Sequence, residues 1–117
     1  LALQTKILKS SDEAETYFRE TKDNEYRPDC IFVDVNLDGS SFNGLELIRK
    51  INFEYGNNVV IGVISTSNDD HEKAIAVKNG AQFWILKDTI DLEKVLLDFK
   101  KDFQFFLNRT INFKVYQ

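Results

Sequence analysis

Four short apolar runs, Thr5 to Lys9, Cys30 to Val35, Val59 to Ser65 and Phe83 to Leu86, are rich in β-branched and aromatic residues. Near-continuous hydrophobicity of this kind suits strands covered on both faces, as in a parallel sheet. The segments between and after the runs carry a helical period instead. Strands alternating with helices of 10 to 20 residues define βα units, and these build a doubly wound α/β sheet.

The helices are legible from their starts and stops. The first begins at Ser10 or Ser11, where Ser10 and Glu13 form a capping box, and it turns Ala14, Tyr17 and Phe18 inward. Asn43 with Glu46 marks a second start, followed by Leu45, Ile48 and Ile51, with Gly56 as the stop. The third runs from after Asn68 to Gly80, with Ala74 and Val77 inward. In the fourth, Leu92, Val95, Leu96, Phe99, Phe103, Phe106 and Leu107 fall on one stripe behind an Asp91 N-cap. Leu97 and Phe105 lie off that stripe and mark a contact face, as in a homodimer. In the tail, Ile111, Phe113 and Val115 alternate with Asn112, Lys114 and Tyr116, a strand pattern. It is read as an edge strand, the start of a linker, or an arm exchanged with a second chain.

Totals narrow the class. A chain of 117 residues is one domain, large enough to bury a core. We divide it into a main unit, 1–110, and a strand-like tail, 111–117. The net charge of −4 with interspersed signs excludes a phosphate-backbone footprint, so neither nucleic acid nor an anionic membrane is an expected partner. A lone Cys30 matches a reducing compartment, and no apolar run approaches the length of a membrane span. A soluble, cytoplasmic protein is expected.

Ligand sites in a doubly wound sheet gather at the carboxyl ends of the strands. There the second run ends in Asp34, the third in Ser65, Thr66, Ser67 and Asn68, and the fourth in Lys87 and Asp88. Singly these are ordinary capping or solvated groups. Together they suit a phosphoryl group: a carboxylate nucleophile, a hydroxyl donor and a neutralising ammonium. A divalent cation would offset the repulsion between carboxylate and phosphate.

The stretches "CIFVDVNLDGSSFNGLELIRKI", "VVIGVISTSNDD" and "NGAQFWILKDT" resemble the response-regulator receiver family of two-component signalling, with its flavodoxin-like fold, from about Thr5 to Leu107. The resemblance implies that Asp34 is the phosphoacceptor and Lys87 the phosphate-binding lysine, and that Ser65, fifteen residues before Gly80, is the switch hydroxyl. It further implies that Thr66 contacts phosphate through its backbone amide and that Trp84 holds the aromatic switch position. Mg²⁺ is then the expected cofactor, with Asp34 and the backbone carbonyl of Asn36 among its ligands. A histidine kinase or phosphotransfer protein is the expected partner. Such a domain assists its own phosphorylation and dephosphorylation without being a conventional enzyme. The alternative is a pseudo-receiver, an interaction module that keeps Asp34 as a structural acid. An unrelated flavodoxin-like enzyme is disfavoured by the lack of a Gly-rich phosphate loop.

Against that family the chain is N-terminally incomplete as given, because the first strand and its acidic pair have no counterpart. Three arrangements account for this: the unit lies upstream of Leu1, the tail strand fills the vacancy, or "TKILKSSDE" is the first strand with Asp12 and Glu13 as the pair. The last sets Asp34 on the second strand instead of the third and is disfavoured. Gly44 follows Asp34 two residues later than in relatives, which puts Ser40 and Ser41 in an insertion, and Asp88 stands where many relatives have a cis-proline. His71 has no Cys, His or paired acids at metal-ligand spacing, and Cys30 lacks the cationic partners of a reactive thiol.

Overall fold

The structure, a computed structural model, describes residues 11–21, 27–34, 41–56, 59–87 and 91–117. The elements in order are α1 (Ser11–Thr21), β1 (Cys30–Asp34), α2 (Ser41–Tyr55), β2 (Val60–Ser65), α3 (Asp70–Lys78), β3 (Phe83–Leu86), α4 (Leu92–Leu107) and β4 (Lys114–Tyr116). The first apolar run, Thr5 to Lys9, lies outside the described residues. The other three form strands within a residue of their expected bounds.

The strands make one sheet in the order β1-β2-β3-β4, and every neighbouring pair is parallel. Helices α1, α2 and α3 cover one face, where Phe18, Ile48, Ile51 and Ala76 join Val33, Val63 and Trp84 in a single core. On the other face α4 contributes Val95, Phe99 and Phe106 to a core with Val60, Phe83, Ile85 and Tyr116. Ile48, Ile51 and Val63 are fully enclosed, and burying each such side chain stabilises the fold by roughly 1.5 to 3 kcal/mol. The doubly wound architecture thus follows from strands apolar on both faces.

One close approach fixes the middle of the sheet. A Cβ at Gly62 would lie 2.1 Å from the ring of Phe83, so only glycine lets that ring lie across β2. The ring then stacks into an aromatic group with Phe32, Phe99 and Phe106 at centroid distances of 5.2, 4.6 and 5.7 Å. At the end of α3, Gly80 takes φ +116, and a Cβ there would also meet Asn52 at 2.7 Å.

Several expectations need correction. Ala74 and Val77 face solvent, Val77 at 43% exposure, while Ala76 is the buried residue of α3. The run Ala74 to Val77 is uniformly apolar, so its period cannot say which side turns inward. The helix α2 begins at Ser41, two residues before Asn43, so Ser41 is helical and not part of a loop insertion; Ser40 lies outside the described residues. The β1 strand is not buried on both sides: Phe32 is 39% exposed, and among the described residues β1 pairs only with β2. Leu96 and Leu107 form the rim of the α4 stripe rather than its centre, being 38% and 37% exposed. The tail does not fill a vacancy beside β1. It pairs with β3 at the opposite edge, within its own chain. Asp12 and Glu13 fall within α1, not at the end of a strand.

Candidate functional site

All four strands run the same way, so Asp34, Ser65 and Lys87 emerge on one edge of the sheet. Asp34 is the last residue of β1 and is in register with Ile64, next to Ser65 at the end of β2. Ser65 is in register with Leu86, and the amide of Lys87 donates to the Ser65 carbonyl at 2.9 Å. The ladder therefore carries the lysine back toward the carboxylate. Lys87 Nζ lies 2.6 Å from Asp34 Oδ2, joining residues 53 apart in sequence. Both side chains are more than a third exposed, 36% for Lys87 and 42% for Asp34. A solvent-accessible pair of this kind contributes only about 0 to 1 kcal/mol to stability. The two charges are held together yet reachable from solvent.

The Ser65 hydroxyl points away from solvent. The residue is fully buried, and its Oγ accepts the amide N–H of Ser67 at 3.0 Å. This is the local turn that a Ser two residues before an amide favours. Thr66 is exposed. Trp84 is fully enclosed in the core between β3 and the helices, and its Nε1–H donates to the Ser67 carbonyl at 3.0 Å. Ser67 thus links the Ser65 hydroxyl to the indole through its own backbone. Sequence reasoning placed Ser67 at the strand end but not in this backbone role, because main-chain atoms leave no side-chain signature.

Asn36 and Asp88 lie outside the described residues. Among the described residues no group of three or more His, Cys, Asp or Glu is placed to hold a metal ion. Mg²⁺ takes six oxygens, of which one or two carboxylates with several waters are the usual share, and among the described residues of this edge Asp34, which Lys87 engages at 2.6 Å, is the carboxylate that would supply one. His71 is exposed in the first turn of α3, where its amide donates to the Asp69 cap. Cys30 is half-buried at the start of β1, and burial, followed by the charge of Asp29, pushes its thiol well above the usual range. That holds it in the unreactive thiol form.

The chain matches the response regulator receiver domain family over residues 3–98. Among solved structures it is similar to a response regulator from Thermotoga maritima, at 32% sequence identity and a TM-score of 0.61, over 80% of this chain and 70% of that one. None of the curated proteins matches. The chain belongs to the response regulator receiver domain family. Receiver domains as a family act with histidine kinases or phosphotransfer proteins and bind Mg²⁺. No described helix is long and apolar enough to cross a membrane.

Proposed function

We propose that Asp34 accepts a phosphoryl group from the phosphohistidine of a kinase or phosphotransfer protein. The observation that carries this is the 2.6 Å contact between Lys87 Nζ and Asp34 Oδ2 at the carboxyl edge of the sheet. A carboxylate oxygen of Asp34 attacks phosphorus, the bond from phosphorus to the donor nitrogen breaks, and its electron pair leaves with the imidazole. The product is an acyl phosphate. Lys87 supplies a positive charge beside the oxygens on which charge builds in the transition state. Ser65 and the Thr66 amide then serve as donors to the bound phosphoryl group. Turning the Ser65 hydroxyl toward it releases the Ser67 amide and alters the hold on Trp84, which shifts the population between two arrangements of the β2–α3 connection. No step is routed through a metal, whose ligands would have to extend beyond Asp34.

A second function, the phosphorylation-independent interaction module, is favoured because no group of three or more His, Cys, Asp or Glu among the described residues is placed to hold a metal ion. Incubation with acetyl phosphate and Mg²⁺, followed by intact-mass measurement, separates the two. Phosphoacceptor chemistry gives a phosphorylated mass in the native protein and none in Asp34→Asn. An unchanged native mass favours the module. For the exposed Leu97 and Phe105 on α4, a homodimer contact is the corresponding proposal.

A further inference from the structure

Beyond the Asp34 edge, the C-terminal strand is tied to the rest of the fold at several points. Lys114, Val115 and Tyr116 are in register with Phe83, Trp84 and Ile85 and cover the edge that β3 would otherwise expose. The Lys114 amide donates to the Gln82 carbonyl at 3.1 Å, and Gln82 in turn donates its Nε2–H to the Phe106 carbonyl of α4 at 2.9 Å. Two side chains of the strand converge on one carboxylate: Lys114 Nζ and Tyr116 Oη each lie 2.6 Å from Asp102 Oδ2. On the other side of the sheet Phe113 and Val115 lie against the core that contains Trp84.

The strand β3 is therefore a shared wall. Its carboxyl end presents Lys87 to Asp34, its Trp84 hangs from Ser67, and its outer edge carries β4. A docked β4 presses Val115 and Phe113 against the core around Trp84 and favours the present placement of the indole. A phosphoryl group that draws Ser65 off the Ser67 amide disturbs that placement. The two demands oppose each other, and a strand of three residues at the edge of the sheet is short enough to yield.

We propose that β4 is a displaceable strap whose docking opposes switching at Asp34, so that phosphorylation loosens β4 and a loosened β4 favours phosphorylation. This rests on Asp34 being the phosphoacceptor. The reciprocity is required by linkage, since each event shifts the other's equilibrium by the same factor.

Hydrogen–deuterium exchange on the full chain, with and without acetyl phosphate and Mg²⁺, tests the strap when intact mass is recorded on the same samples. Exchange from Thr110 to Gln117 is expected to rise about fivefold or more in the phosphorylated protein. Tyr116→Phe keeps the ring but loses the bond to Asp102. At the same limiting donor concentration it is expected to reach a phosphorylated fraction about twofold or more above the native one. Equal exchange in phosphorylated and unphosphorylated protein overturns the strap. So does a Tyr116→Phe tail that loosens without changing the phosphorylated fraction, because a purely structural bond moves only the tail. A native mass that never changes overturns the phosphoacceptor assignment, and the strap with it; intact mass distinguishes the two failures.

Discussion

Trp84 donates its indole N–H to the carbonyl of Ser67 across 3.0 Å while being fully enclosed by the core. Phenylalanine would keep most of the packing but leave that carbonyl without its donor. Trp84→Phe is therefore expected to lower stability by about 1 to 3 kcal/mol, read as a lower urea midpoint at unchanged slope. Because Trp84 is the only tryptophan, native emission is expected at short wavelength, shifting to the red on unfolding.

Gly62→Ala places a methyl group 2.1 Å from the Phe83 ring in the centre of the sheet. The expected loss is at least about 1 to 3 kcal/mol, because the ring must leave its position among Phe32, Phe99 and Phe106. In a double-mutant cycle, adding Phe83→Leu is expected to recover part of the loss. Fully additive effects would show that the ring and the glycine do not meet.

These two positions mark how much of the fold can be read from sequence. The strands β2 and β3 were legible because both faces are buried, and α4 because its apolar residues repeat at helical spacing. The inward face of α3 was not, since Ala74 to Val77 are contiguous apolar residues and either side would serve. Phe32 looked buried because hydrophobicity reports preference, while exposure depends on which strands neighbour β1. Alternation in the tail gave a strand, but its partner is set by tertiary packing around Asp102. At the candidate site, the placement of Asp34, Ser65 and Lys87 on one edge was legible because parallel strands bring their carboxyl ends together. The Ser67 relay was not, because it runs through main-chain atoms.

Stability should depend on pH through groups that include two phenols and one carboxyl. Burial raises the phenols of Tyr55 and Tyr116 above the ordinary value of 10.0. The unfolded chain then loses those protons first, so their contribution to stability is fully present below pH 10 and is lost as pH rises beyond it. Burial pushes the Asp102 carboxyl up, but hydrogen bonds from Lys114 and Tyr116 and the charge of Lys114 outweigh it and leave it below 3.8. Its contribution is present above that value and lost as pH falls through the lowered one. Denaturation midpoints measured across pH should show both limbs, with a shallower alkaline limb in Tyr55→Phe. An unchanged alkaline limb in that variant would assign it to other groups.

Lys87→Ala removes the cation 2.6 Å from Asp34 without opening the core. The denaturation midpoint should move by no more than about 1 kcal/mol equivalent, since the pair is solvent-accessible. The rate of phosphorylation by acetyl phosphate should fall about a hundredfold, because charge on the transferring oxygens loses its partner. A large fall in stability with an unchanged rate would make Lys87 a structural residue.

Borohydride trapping tests the central claim most directly. Reduction of an aspartyl phosphate converts the residue to homoserine, which peptide mass spectrometry locates. After incubation with a phosphorylated histidine kinase or acetyl phosphate, homoserine is predicted at position 34 of the native protein and at no other acid. Its absence at Asp34, or its appearance at another carboxylate, would contradict the assignment.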